Sequence, residues 1–339
     1  MRKIRIAQIG LNVLSHSGEI FHTIKTHPDV FEIAGYALVE DERETCAHKL
    51  EYLEGYPELT LEEILSDPTI EAVAIETDEI HLTKYALMAA EAGKHIHMEK
   101  PGSQSLEDFE KLISIMRDSG KVLHLGYMYR YNPYISSAIE RVRSGELGKI
   151  YSTEAHMSRL DATKWREWLN NFKGGMMFYL GCHLIDLVMQ LQGVPSEVLA
   201  FNSSTGFDGV ASEDNALALM RYESGYSIVR TAATEIGGFD RRQLVVMGER
   251  GTIEIRPLEG TVPQEERKSR FPHYTRAREA LLNDEGLCVT NEITTEQYDR
   301  YTAMILAFGA MVRGEKENPY TLDYELQLYK TILKCCGIN

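Results

Sequence analysis

Lys100 stands between Glu99 and Pro101 at the end of the apolar run His95-Ile96-His97-Met98, and Tyr179, His183 and Asp186 follow one another at spacings of four and three. A lysine amine polarises an oxygen or relays its proton, and the three later residues, sharing one face of a helix, can donate, accept and orient protons. The chemistry common to these residue types is proton transfer. Each has a plainer reading: a surface lysine in a turn, and a polar stripe that faces solvent or a core histidine with its bonds satisfied. What separates the readings is the set of elements that must position the residues.

A proline disfavours the α region for the residue before it, so Lys100 is expected to be extended, with a fixed aim, where a strand ends. Upstream, Tyr85, Leu87, Met88 and Ala92 ride a helix that Gly93 stops. Earlier still, Ile4 to Ile9 reads as a strand, Gly18 to Lys25 as a helix, Phe31 to Val39 as a strand and Ala72 to Ile75 as a buried strand, while Thr60 opens a capping-box helix. A helix at Leu106–Asp118 and a strand at Lys121–Leu125 continue the series. This alternation predicts an α/β protein whose N-terminal domain, over residues 1–125, is a Rossmann-type doubly wound parallel sheet. Ligands in such sheets bind beyond the carboxyl ends of strands, which is where Lys100 falls.

From residue 126 to 339 the pattern changes to successive strands. Hairpins at 216–232 and 243–256 predict an α+β domain with an open, largely antiparallel sheet, suited to substrate binding and oligomerisation. Gly174-Gly175 open the helix that carries Tyr179, His183 and Asp186. Val262 to Arg278, with five basic residues, reads as a solvated arm, and Glu296–Val312 and Leu322–Leu333 as two amphipathic helices. Gly126 to Pro133, aromatic and cationic with Arg130, either lines a ligand or fills a domain junction.

The stretch Gly10 to Gly18 occupies the slot of a dinucleotide fingerprint, with only its first glycine in register. Asn12 and Ser15 stand where the second and third glycines belong. Asparagine tolerates a left-handed backbone, and Ser15 or Ser17 can cap the helix, so an anion site at the helix N-terminus is expected to persist. Alternatively Gly18 supplies the third glycine. A strand-turn-helix with no ligand is the competing reading. Glu40, after the second strand, would accept hydrogen bonds from a ribose and repel the extra phosphate of NADP, which favours NAD over NADP. Thr77 and His81, beyond the third strand, and Glu99 complete the expected cofactor side, with His81 equally readable as a helix cap.

Several function classes are excluded by composition. A net charge of -15 opposes a nucleic-acid surface, and five scattered cysteines form neither a disulfide framework nor a zinc-ligand pattern, so no metal is expected and a reducing cytoplasm fits. Ile4 to Ile9 alternates with Arg5 and Gln8, unlike a signal peptide, and no run of 18 apolar residues spans a membrane. At 339 residues, 43% hydrophobic and 26% charged, the chain is globular and long enough for two domains.

With these residues in place, the whole chain resembles the glucose-fructose oxidoreductase, inositol dehydrogenase and rhizopine-catabolism (Gfo/Idh/MocA) family. The resemblance rests on Glu99-Lys100-Pro101 after Ala92-Gly93-Lys94-His95, on the Gly174-Gly175 helix with Gly181, His183 and Asp186, and on the turn Gly145-Glu146-Leu147-Gly148. It implies a Rossmann domain followed by an α/β domain, oxidation or reduction of sugars and cyclic polyols with NAD(P), and Lys100 and His183 facing the substrate. The chain departs from the family at Asn12 and Ser15, and at Tyr179, where the family's usual aspartate precedes the histidine by one turn. A phenolate is favoured by a nearby lysine, so Tyr179 is expected to exchange the proton beside Lys100 while His183 orients the hydroxyl. Arg130, Trp165, Arg166 and Asp186 are expected at the substrate. Competing readings are a binding or regulatory protein that senses a nucleotide or sugar without turnover, and a glycoside-cleaving enzyme that eliminates after transient oxidation by tightly held NAD. The open second sheet implies a homo-oligomer.

Overall fold

The computed structural model describes residues Arg2 to Ile338. The chain forms two compact units, Met1–Met128 with Tyr301–Leu326 and Tyr129–Arg300 with Gln327–Asn339.

The first unit is laid down as β1 (Ile4–Ile9), α1 (Ser17–Lys25), β2 (Phe31–Ala37), α2 (Glu42–Thr45), α3 (Leu61–Ser66), β3 (Ala72–Ile75), α4 (Leu82–Glu91), β4 (His95–Met98), α5 (Leu106–Ser119) and β5 (Leu123–Leu125). Its five strands are all parallel, in the order β2-β1-β3-β4-β5. The chain moves outward from β1 to β2 and then crosses back to β3, so the order reverses between β1 and β3, and a crevice opens beyond their carboxyl ends. All four residues of β3 are buried, as a central parallel strand covered on both faces requires. The capping box is complete: the Thr60 hydroxyl accepts from the Glu63 N–H, and the Glu63 carboxylate from the Thr60 N–H. Gly93 follows α4 in a left-handed conformation, φ 71°.

The second unit contains α6 (Pro133–Arg143), β6 (Ile150–His156), α7 (Thr163–Trp168), α8 (Cys182–Gln192), β7 (Glu197–Ser203), β8 (Asn215–Tyr222), β9 (Gly225–Ala232), β10 (Gln243–Gly248), β11 (Gly251–Ile255), β12 (Gly260–Thr261), β13 (Pro272–Tyr274), β14 (Arg276–Leu282), β15 (Cys288–Thr294) and β16 (Tyr298–Asp299). Eight strands form one sheet, β15-β14-β11-β10-β6-β9-β8-β7, antiparallel except where β6 lies parallel to β9. Both expected hairpins are present, as β8–β9 and β10–β11. Strands β12, β13 and β16 make a small antiparallel sheet, which ties down Pro272–Tyr274 of the stretch expected as a solvated basic arm, while residues 263–270, with Arg267, Lys268 and Arg270, are exposed.

The last helices are α9 (Thr302–Val312) and α10 (Leu322–Cys335). The helix expected from Glu296 begins only at Thr302, because Tyr298 and Asp299 pair with β13. A reading in chain order assigns α9 to the second domain, yet α9 belongs to the first unit. Phe308 stacks on His124 of β5 at 5.6 Å, and a Cβ on Gly309 would come within 2.8 Å of Val30. Among the described residues no helix is long and apolar enough to cross a membrane.

Candidate active site

Strand β1 ends at Gly10, with φ 88°, and a Cβ there would stand 2.7–2.9 Å from Thr77. Glycine therefore lets the loop after β1 pass directly over the loop after β3. Asn12 does not take the expected left-handed backbone; among the described residues only Glu40 and Asp208 do so without being glycine. Its side chain works instead. The amide nitrogen donates to Thr77 O at 3.1 Å and to Glu79 Oε2 at 2.8 Å, while its oxygen accepts the N–H groups of Leu14 at 2.7 Å and Ser15 at 3.3 Å. His16 is the N-cap of α1 and makes no side-chain cap, and the Ser15 hydroxyl accepts the Ser17 N–H at 3.2 Å. Gly18 gives room to the Tyr52 ring, to within 2.6 Å of which a Cβ would come. Lys49 lays its ammonium on the loop, donating to Asn12 O at 2.7 Å and Ser15 O at 2.6 Å.

Glu40 sits past β2 with its carboxylate accepting from Lys84 at 2.6 Å and from the Tyr85 hydroxyl at 2.7 Å. Those two bonds hold its carboxyl below the usual carboxylate range. His81 occupies the N-cap position of α4, makes no side-chain cap bond, and points Nδ1 to within 3.8 Å of Glu40. Lys100 is nearly buried, its Nζ 3.9 Å from Glu99 Oε1, which also accepts the Lys100 N–H at 2.8 Å. Around these groups the crevice holds an unusual load of buried acid: Glu42, Glu76, Glu79 and Glu99 are all at most 5% exposed. Burial pushes the Glu79 carboxyl up to about 7 against the pull of the Lys100 charge. Burial likewise pushes Glu42 up to about 7, and burial together with the Glu99 charge raises Glu76 well above the ordinary range.

In the second unit, Gly174 and Gly175 both take positive φ before a π-helical turn, Met177–Gly181, that carries Tyr179 into α8. A π turn holds an extra residue, so the helical phase on which the Tyr179–His183–Asp186 stripe depends is shifted. The three side chains accordingly meet different neighbours. Tyr179 lies under the Arg159 guanidinium at 5.3 Å, with the Trp168 ring edge-on at 5.3 Å. His183 meets Tyr129 edge-on at 5.2 Å. Asp186 accepts from Arg130 through Nε at 3.0 Å and Nη2 at 2.9 Å, and from Gln190 at 2.9 Å. Burial opposes the charge on Arg159, yet Tyr179 and Asp161 raise its pKa above the ordinary value.

Arg130 and Asp186 thus form a closed, buried pair. Arg166, expected at the substrate, is fully buried and donates to Phe207 O at 2.7 Å, to Asp161 O at 3.2 Å and to Asp208, with Asp214 at 3.6 Å. Its fork is spent on clamping a loop, which corrects the expectation. Trp165 is half-buried, with the Lys164 ammonium over its ring at 4.1 Å.

Residues 4–127 match the description "Oxidoreductase family, NAD-binding Rossmann fold", and residues 135–254 match "GFO/IDH/MocA C-terminal domain". The chain belongs to the GFO/IDH/MocA family of oxidoreductases. It is 28% identical over 270 residues to the scyllo-inositol 2-dehydrogenase (NAD(+)) of Bacillus subtilis, covering 78% of this chain and 73% of that one. It is 23% identical over 334 residues to the myo-inositol 2-dehydrogenase of Thermotoga maritima, covering 93% and 98%. Levoglucosan dehydrogenase, solved in complex with NADH and levoglucosan, shares the fold with a TM-score of 0.78 at 19% identity, over 99% of this chain and 98% of that one.

The GFO/IDH/MocA crevice of this chain fits a dinucleotide. Thr77 Oγ1 and Glu79 Oε1 are buried without a hydrogen-bond partner at the switch point, and ribose hydroxyls or a carboxamide are the donors such acceptors need. Lys49 brings a cation to a loop whose Leu14, Ser15 and Ser17 N–H groups are already used. Sequence reasoning missed Glu79, Lys49 and Arg159. Glu79 carried the clearest signal, an acid just past a fully apolar strand at the sheet's carboxyl edge. Arg159 and Lys49 carried none, since their importance comes from partners distant in sequence.

Proposed function

We propose that this oxidoreductase transfers a hydride between NAD and a carbon bearing a hydroxyl or carbonyl on a sugar, an inositol or a related polyol. The observation that carries the reading is Lys100, nearly buried at the carboxyl end of β4 among acids poised near neutrality. Bound dinucleotide would supply the hydride chemistry. Gly10, Asn12, Ser15, Thr77, Glu99 and Lys49 would hold it. Glu40, kept ionised by Lys84 and Tyr85, favours NAD because its negative charge opposes a second phosphate on the ribose.

Lys100 polarises the substrate oxygen and takes or returns its proton. From the second unit we assign His183 to orienting the hydroxyl and Tyr179 to proton exchange, with the Arg159 cation favouring the phenolate. The inositol dehydrogenases among the relatives support a cyclic polyol as substrate. Exposed Leu199, Phe201 and Tyr226 on the eight-stranded sheet support self-association, which sedimentation would read directly.

The test is a screen of inositols, aldoses and their keto forms with NAD and NADP, followed by the absorbance of the reduced nicotinamide. Turnover with NAD on a polyol is the expected result. Tight NADH binding with no turnover across the set would overturn the assignment. Tyr179→Phe is expected to abolish turnover while leaving NADH binding intact; normal turnover would reduce Tyr179 to a wall of the pocket.

A further inference from the structure

Glu40 follows β2 with a left-handed backbone, φ 51°, which a residue bearing a side chain adopts at an energetic cost. Such a conformation persists only where the surroundings hold it, and at Glu40 they do. Lys84 Nζ and the Tyr85 hydroxyl, neighbours in the first turn of α4, donate to Glu40 Oε1 at 2.6 and 2.7 Å, and His81 Nδ1 approaches the same oxygen at 3.8 Å. All three groups meet on one oxygen. The second, Oε2, accepts no hydrogen bond from the described residues.

The groups that pin Glu40 are themselves held. Tyr85 is 5% exposed, and Lys84 lays its ammonium over the Tyr85 ring at 4.8 Å while donating to its hydroxyl at 3.4 Å. Burial and the bond to Glu40 push the Tyr85 phenol up to about 12, so the hydroxyl stays a donor at neutral pH. The Glu40 side chain is 32% exposed, and a glutamate so placed would otherwise swing on its two methylenes. Fixing it only when a ligand arrives would cost rotamer freedom, and Lys84 and Tyr85 have removed that freedom beforehand. A carboxylate pinned at one oxygen offers the other, at a set place, to a ribose hydroxyl. It also cannot turn away from a phosphate put where that hydroxyl belongs, so preorganisation and exclusion come from the same two bonds.

We propose that Tyr85 is a specificity-determining positioning residue: together with Lys84 it pins the Glu40 carboxylate, and the pinned carboxylate is what separates NAD from NADP. This rests on the reading of Glu40 as the acceptor for the adenosine ribose. It goes further by moving the discrimination from a charge at one position to a geometry set by the first turn of α4. Tyr85 acts on the nucleotide through Glu40. An unpinned glutamate carries the same charge and discriminates less, because it can swing aside from the added phosphate.

The test needs no substrate. Wild type, Tyr85→Phe, Glu40→Ala and the double variant are titrated calorimetrically with NADH and, separately, with NADPH. Tyr85→Phe keeps the ring and its packing and removes one hydrogen bond to a charged group. The expected result is a ratio of NADPH Kd to NADH Kd that falls about 10-fold, chiefly through weaker NADH binding. In the Glu40→Ala background the same substitution leaves the ratio where Glu40→Ala puts it, as a residue acting through Glu40 requires. A ratio that Tyr85→Phe does not move, an equal loss for both nucleotides, or a further change in the Glu40→Ala background would overturn the assignment. If wild type binds neither nucleotide, the cofactor reading fails and the specificity role with it. The pin itself is then decided by NMR titration of the Glu40 carboxyl, which Lys84 and Tyr85 hold below the usual range. Its midpoint rises in Tyr85→Phe where the bond holds the carboxylate, and an unmoved midpoint contradicts the pin.

Discussion

At the carboxyl edge of the parallel sheet, Glu42, Glu76, Glu79 and Glu99 are buried, with Lys49 acting on Glu76 and Glu79 and Lys100 on Glu79 and Glu99. In the second unit, by contrast, buried charges are matched. Arg130 forks onto Asp186, Arg166 meets Asp208 and Asp214, and Arg300 grips Glu259 at 2.8 and 2.6 Å. The chemical result differs accordingly. Burial pushes Glu259 up, yet Arg300 and Arg242 bring it below the usual carboxylate range. In the crevice, burial pushes Glu42 and Glu79 up toward neutrality. Matched pairs fix geometry, whereas mismatched acids exchange protons, and a cluster of perturbed groups is where chemistry is expected.

The comparison breaks most visibly at Lys100. Lys100→Met should cost roughly 10² to 10⁴ in kcat while circular dichroism stays near wild type, because its role is chemical. Asp186→Ala should do the reverse, since it strands the Arg130 guanidinium in the interior and costs about 3–5 kcal/mol of stability, read as a lower urea midpoint. Replacing Arg130 and Asp186 together with apolar residues should recover much of that loss. If Asp186→Ala proved neutral, the pair would not be the structural clamp that its geometry indicates.

A third effect sharpens the contrast through pH. The Glu79 carboxyl titrates near 4.5 when unfolded and near 7 when folded. The folded state therefore binds the extra proton in that window, and its contribution is full below about 4.5 and lost as pH rises through 7. Relative to Glu79→Gln, the wild type should lose about 3 kcal/mol across that window, measured by melts on either side of it. A pH-independent difference would remove Glu79 from the titrating set. Smallest of all, Thr60→Ala should cost about 1 kcal/mol through the lost capping box and leave activity alone, as kinetics and melting together would show.

The parts of this molecule legible in sequence are those set by local rules. Buried strands, the capping box at Thr60, Gly93 after its helix and both hairpins depend on residues within a few positions of one another. Lys100 was legible for the same reason, standing where a strand runs into a proline. The rest depended on distant partners. Nothing near Asn12 announces that its side chain serves Thr77 and Glu79, some 65 residues on. Arg166 looked available for a substrate because Asp208 and Asp214, which occupy it, lie in another loop. The Tyr179 stripe assumed 3.6 residues per turn, and the π turn at Met177–Gly181 breaks that period.

The most direct test of the account is calorimetric titration of the cofactor-stripped protein with NADH and, separately, with NADPH. The account predicts a single tight site for NADH and weaker binding of NADPH, with Gly10→Ala abolishing the NADH heat because its Cβ would strike Thr77. No binding of either nucleotide to the wild-type protein would contradict the central claim.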